Sequence, residues 1–262
     1  VVYRQSVALR DSATAAWGAR FTAARVINRA LPALLEHAGA AGMLSNSWSR
    51  GWGVDKIQSA RARTIPSFDV SCEDYSLLAR LAANGQHPRV HALADASLAP
   101  NETPVFNTIA RIEGSEKPNE YVMLSAHFDS WDGSSGATDN GTGTITMLEA
   151  MRILRQVYPH PKRTILVGHW GGEEEGEVGS KAFTEDHPEV IKGLQALFNQ
   201  DNGTGRIVRI GGAGLPNAAE HIEQWLSKVP TEFKTQATFS GPGFPAGGGS
   251  DDFSFACYGT PA

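Results

Sequence analysis

The stretch Ser125–Gly143, "SAHFDSWDGSSGATDNGTG", sets a histidine and three aspartates directly behind an apolar run and then loosens the backbone with glycine. The preceding residues, "YVMLSAHF", read as a strand. A strand that runs into His127 and Asp129 places metal-type ligands at its carboxyl end, where ligands gather in an open α/β sheet. Two further apolar strands end the same way: "TILVGHWGGEEE" in Glu173 and Glu174, and "LQALFNQD" in Asp201. Asp139 joins from a different direction. It stands in "TDNGTG", where a loop becomes a helix, and a helix N-terminus favours a carboxylate. The flanking glycines let that loop fold back towards its own strand.

Working outward, "VFNTIARIEG" and "YVMLSAHF" are two strand candidates separated by the polar turn "SEKPNE". A helix is expected from about Gly141, because Met147, Met151, Leu154 and Tyr158 share one face at i, i+4, i+7 and i+11. The strand "RTILVGHW" follows, then a helical segment near "SKAFTED" and the strand "LQALFNQ". The tail carries a helix, "NAAEHIEQWLSKV", a strand candidate, "FKTQATF", and the glycine-rich "GPGFPAGGGSDDFSF". Strands alternating with helices predict an α/β fold with a mixed, largely parallel sheet flanked by helices.

Upstream, Ile27, Leu31, Leu34 and Leu35 have helical periodicity. They are followed by "AGMLS", the loop "SRGWGVD", the strand-like "TIPSFDVS" and a helix over "EDYSLLARLAANG". These pieces form a smaller α/β segment without clustered ligands. The linker composition of "SLAPNETP", Ser97–Pro104, divides residues 1–98 from 99–262.

Bulk composition narrows the function. The chain has 262 residues, is 41% hydrophobic and 19% charged, and carries a net charge of −5. These values suit a globular protein. No lysine/arginine block traces a phosphate backbone, so nucleic-acid binding is not expected. No apolar run is long enough to span a bilayer. Cys72 and Cys257 are too far apart for a zinc cluster or redox pair and read as buried free thiols. The chain starts "VVYRQS" and stops "YGTPA", and both ends read as internal to a longer protein.

One imidazole and several carboxylates make a nitrogen/oxygen set that suits zinc or, less specifically, manganese or cobalt. Within "HFD", residues two apart in an extended segment point the same way. Asp129 can thus accept the imidazole's second N–H and orient the ring rather than bind metal. Glu173 and Glu174 point apart, so one can hold metal while the other takes a proton from the attacking water. Each feature alone has an ordinary reading: a surface pair, a solvated acid run, an N-cap, a turn. Four such features at corresponding strand and helix ends favour a common site.

"AHFDS", "TDNGTG", "WGGEEEGEVGS", "NQD" and "GSDDFSF" with "GTPA" resemble, in order and spacing, the co-catalytic dinuclear zinc exopeptidases, which include leucyl-type aminopeptidases and glutamate carboxypeptidases. The resemblance covers roughly residues 100 to 262. It implies a zinc exopeptidase fold and two zinc ions, with His127 and Asp201 on one ion, Glu174 on the other, Asp139 bridging and Glu173 as general base. It also implies a cis peptide between Asp139 and Asn140. The family's fifth ligand, a histidine, is expected beyond Ala262. His169 and His221 do not match it: the first is expected to be packed and the second exposed. Residues 1–98, through "GAAGMLSNS" and "TIPSFDVSCEDYSLLARL", resemble the latter part of a protease-associated domain, which implies substrate gating or partner contact.

The implied activity is hydrolysis of peptides or dipeptides, with an aminopeptidase favoured over a carboxypeptidase, in an extracytoplasmic setting. The alternatives are glutaminyl cyclisation by one-zinc relatives, a related metallopeptidase with a dimerisation lid, and an inactive receptor or scaffold on the same fold.

Overall fold

A computed structural model of the chain describes residues 30–46, 62–95, 97, 101–131, 133–211, 215, 218–240 and 249–262. Backbone proximity groups the chain into two units, Val1–Ala96 and Ser97–Ala262. Among the described residues no helix is long and apolar enough to cross a membrane.

In the first unit, residues 30–37 are helical (α1). Leu31, Leu34 and Leu35 of the periodic stretch lie in this helix, whereas Ile27 and the loop "SRGWGVD" lie outside the described residues. Strands β1 (Met43–Ser45) and β2 (Ser67–Asp69) pair in parallel. Helix α2 (Cys72–Ala83) is capped by Ser71, whose side-chain oxygen accepts the Asp74 backbone N–H at 3.2 Å. Glu73 and Asp74 in its first turn and Arg80 in its last complement the helix dipole.

The second unit is built on four strands: β3 (Thr108–Ile112), β4 (Lys117–His127), β5 (Arg163–Trp170) and β6 (Leu194–Asn199). Their spatial order is β3-β5-β4-β6. Only β3 runs antiparallel to its neighbour; the β4–β5 and β4–β6 pairs are parallel. The sheet is therefore mixed and largely parallel. The expected turn "SEKPNE" is shorter than its composition suggests, because β4 already starts at Lys117. Lys117 pairs with Arg163, and an irregularity before Tyr121 absorbs the polar residues Pro118–Glu120.

Both faces of the sheet are covered, which explains the unbroken apolar run of β5. On one face Met123, Leu166, Trp170 and Leu197 pack with Phe183 of α4 (Val178–Asp186), Val190 and Ile191 of α5 (Pro188–Gly193) and Phe255 of α8 (Asp252–Ala256). The Trp170 ring lies 5.0 Å from Phe183 and 5.6 Å from Phe255, centroid to centroid. On the other face Ile112, Ile165 and Val167 meet Met151 of α3 (Thr142–Val157), with Met147 and Leu154 packed alongside.

Beyond β6 come β7 (Arg209–Gly211), α6 (Ala218–Lys228), α7 (Thr231–Lys234) and β8 (Thr238–Ser240), with β7 and β8 paired in parallel. The expected strand "FKTQATF" is thus mostly helix and turn. Pro230 stands at the N-cap of α7 and starts a helical turn through Phe233 and Lys234, leaving only Thr238 and Phe239 extended. The glycine-rich residues 241–248 lie outside the described residues. Both cysteines are free, but Cys72 is half-buried and Cys257 exposed. Each occupies a helix end, at the start of α2 and the C-cap of α8, where the core does not enclose it.

Candidate active site

Because β5, β4 and β6 are adjacent and parallel, their carboxyl ends share one edge of the sheet. His127 is the last residue of β4 and is fully buried. Asn199 at the end of β6 is aligned with Ser125 of β4, which brings Asp201 level with His127. Hydrogen bonds fix this alignment: Ser125 Oγ donates to Asn199 Oδ1 at 2.7 Å, and the Gln200 N–H donates to the Ser125 carbonyl at 2.9 Å. Thr144 of α3 reaches the His127 carbonyl at 2.8 Å.

Asp139 arrives through the tight turn Ala137–Gly141 that precedes α3, and the Asp139–Asn140 peptide is cis. Asn140 is buried, donates to the Gln200 carbonyl at 2.8 Å and accepts the Gly143 N–H at 3.1 Å. Gly143 must be glycine here, since a Cβ would collide with the Asn140 side chain and the Gln200 carbonyl. The carboxyl end of β6 is thereby bound to the turn that carries Asp139. After β5, Gly172 adopts a φ of 69°, the left-handed region, as the chain turns into the glutamate loop.

These segments converge on one imidazole. His127 Nε2 lies 3.1 Å from Asp139 Oδ1, 3.2 Å from Asp201 Oδ1 and 4.0 Å from Glu173 Oε2. His127, Glu173 and Asp201 each offer a ligand atom within 4.8 Å of the others. On the far side of the ring, Nδ1 faces the Asp129 carbonyl at 3.1 Å, with the Asp129 carboxylate farther off at 3.7 Å. Asp129 therefore sits where its spacing put it, but its main-chain oxygen is the nearer partner. The carboxylate instead accepts the backbone N–H groups of Glu173 and Glu174 at 3.1 and 3.2 Å, clamping the glutamate loop against the end of β4.

Glu174 lies in that clamped loop but outside the group gathered around His127; Glu173 is the nearer glutamate. Two ions of a co-catalytic pair sit about 3.5–4 Å apart. A ligand of the second ion is not required to touch a ligand of the first. His169 is buried in β5 beside Ala126 of β4, and His221 of α6 is exposed against Trp225.

Burial opposes charge on His127, yet the nearby Asp129 carboxylate, the hydrogen bond that the ring donates to Asp201 and the charges of Asp201 and Glu173 push its pKa up to about 11. Burial pushes Glu173 up to about 8, against the pull of His127 and with further repulsion from Asp201, Asp251 and Glu174. Asp129 is also penalised by burial, but the nearby His127 ring and the hydrogen bonds from the Glu173 and Glu174 N–H groups hold it below the usual carboxylate range. The acids around Nε2 thus favour positive charge beside it. A single N–H there cannot serve both Asp139 and Asp201, whereas a cation among the three can. The donor set of one imidazole and several carboxylates fits a divalent ion such as zinc.

Sequence reasoning missed two supports, Asn140 and the Asn199–Ser250 contact of 2.7 Å. Neither residue type signals a site by itself. Only the register of β4 against β6 gives them a role.

The sequence model of peptidase family M28 matches residues 107–262, more than half of the chain. The chain belongs to peptidase family M28. It is 34% identical over 152 residues to carboxypeptidase Q of Mus musculus, covering 58% of this chain and 32% of that protein. With carboxypeptidase Q of Homo sapiens it shares 31% over 191 residues, 73% of this chain and 40% of that protein. Among solved structures, the Peptidase M28 precursor of Shewanella amazonensis matches with a TM-score of 0.64 and 25% identity, covering 85% of this chain and 50% of that one. BSAP, a zinc aminopeptidase from Bacillus subtilis, matches in fold with a TM-score of 0.60 at 22% identity, over 89% of this chain and 55% of that one. The chain thus spans about a third to two-fifths of these curated relatives and about half of these solved structures.

Proposed function

We propose that this M28 chain is part of a zinc exopeptidase that hydrolyses peptide bonds through a glutamate-assisted water. The observation that carries the reading is the convergence of Asp139, Asp201 and Glu173 on His127 Nε2 at 3.1, 3.2 and 4.0 Å. His127 and Asp201 would hold one zinc, Glu174 the other, and Asp139 both. Bound zinc supplies Lewis acidity, polarising the scissile carbonyl and making water more acidic.

Glu173 is the general base. Its side chain is 10% exposed; burial raises its pKa to about 8 in the metal-free chain, and the charge of bound zinc would lower it, leaving a carboxylate that takes a proton from water and returns it to the leaving amine. Asp129 holds the base in place through the Glu173 N–H and orients His127 through its carbonyl.

An aminopeptidase is the favoured form. The motif resemblance to leucyl-type aminopeptidases supports this form. The carboxypeptidase reading is supported by the names of the curated relatives. Peptides blocked at one end or the other separate the two. The protease-associated-like segment, residues 1–98, would gate substrate or contact a partner, and the extracytoplasmic setting belongs to the same reading.

The test is Glu173→Gln. Zinc content by metal analysis is expected to be unchanged while peptide turnover falls about 10²- to 10⁴-fold. A variant that keeps full turnover rejects the base, and one that loses zinc makes Glu173 a ligand instead.

A further inference from the structure

Asp251 stands outside the chemistry described above, yet its surroundings are costly. It is 0% exposed, and among the described residues neither of its carboxylate oxygens has a hydrogen-bond partner. It occupies the N-cap position of α8 but makes no capping hydrogen bond. The Ser180 hydroxyl, which favours its charge, is already engaged with Ser254 Oγ at 2.9 Å and the Glu177 carbonyl at 3.3 Å. A buried carboxylate without a donor is unfavourable in any fold. An acid retained only for packing would be better replaced by its own amide.

The position of Asp251 is nonetheless fixed with care. Its neighbour Ser250 accepts from Asn199 Nδ2 at 2.7 Å, and Asn199 accepts from Ser125 at 2.7 Å. Ser125 and Asn199 each lie two residues before a member of the candidate site, His127 and Asp201. The chain Ser125–Asn199–Ser250 thus joins three segments just behind the ring. Asp251 is within electrostatic reach of His127, Asp201 and Asp129, and its charge acts on Glu173.

We propose that Asp251 is a positioning residue of the metal centre, an outer carboxylate whose negative charge favours dications at the His127–Asp201 side while lowering the stability of the metal-free chain. Outer partners of this kind orient ligands and raise metal affinity without binding metal themselves. The inference rests on the zinc reading above.

The test is Asp251→Asn in the full chain, which keeps shape and removes charge. Zinc affinity is measured at pH 8 by competition with a chromophoric chelator, and the thermal midpoint is measured without metal. Zinc binding is expected to weaken about 10- to 100-fold, while the metal-free midpoint rises by roughly 2–4 °C. These opposite signs separate positioning from packing. Unchanged zinc affinity overturns the proposal. So does a lowered midpoint or a variant that does not fold, since the charge is required to be unfavourable before metal arrives. If the unaltered chain takes up no zinc, the zinc reading falls and this inference falls with it.

Discussion

His127 and His169 sit at the ends of neighbouring strands, one register step apart, and both are buried, at 0% and 3% exposure. Their environments differ in everything but burial. Around His127 the chain gathers acids, and these outweigh desolvation to hold the ring charged up to about pH 11. Around His169 there is strand backbone and the Phe128 ring at 6.4 Å. Among the described residues neither of its nitrogens has a hydrogen-bond partner, and burial holds its pKa below the usual value. Burial alone does not make a histidine a ligand. What distinguishes the β4 end is that three other segments deliver carboxylates to it.

His127→Ala removes the imidazole on which the acids converge. At least one zinc per chain is expected to be lost on metal analysis, with a turnover loss exceeding the about 10²–10⁴-fold of a missing general base. Two zincs retained would mean that the acids alone form the centre. Gly143→Ala attacks the delivery of Asp139 rather than the ligands. Its Cβ meets the Asn140 side chain and the Gln200 carbonyl, so denaturant unfolding should show a destabilisation of about 1–3 kcal/mol. A neutral outcome would show that the α3 start is not seated on the end of β6.

The two histidines also predict opposite pH responses of the metal-free chain. For His127 the folded pKa, about 11, is raised above the ordinary 6.5, so its stabilisation is full below about pH 6.5 and is lost as pH rises towards 11. Glu173, raised from 4.5 to about 8, has the same sign. For His169 the folded pKa is lowered, so its contribution is present above pH 6.5 and is lost as pH falls. Thermal midpoints of the metal-free chain should therefore decline on the alkaline side, and saturating zinc should flatten that decline. A flat alkaline limb without metal would contradict the charged ring.

His169→Gln should have the smallest effect: unchanged zinc content, a stability change within about 1 kcal/mol, and a shallower loss on the acid side. Loss of zinc in this variant would place His169 in the centre and erase the contrast.

Much of this contrast was legible in the sequence. "SAHFD", "GGEEE" and "FNQD" each announce a strand that ends in candidate ligands, and "TDNGTG" a carboxylate at a helix start. Parallel alternation implies that such ends share an edge. Period and turn signals failed where they were local and weak. Lys117–Glu120 looks like a turn because its side chains are polar, but the backbone extends to meet Arg163. "FKTQATF" has strand composition, yet Pro230 starts a helical turn there. The parity of "HFD" turns Asp129 towards His127, but it says nothing of which loop N–H groups will face the carboxylate.

Fold class, the candidate ligand types and the strand ends on which they stand can be read from the residues alone, because hydrophobic period and residue chemistry are local properties. The strand order β3-β5-β4-β6, the register that sets Asn199 beside Ser125, and the burial of Asp251 without a donor were decided only by the tertiary structure. Those features depend on which distant segments meet, and the positive charge favoured beside His127 Nε2 arises only once they have met.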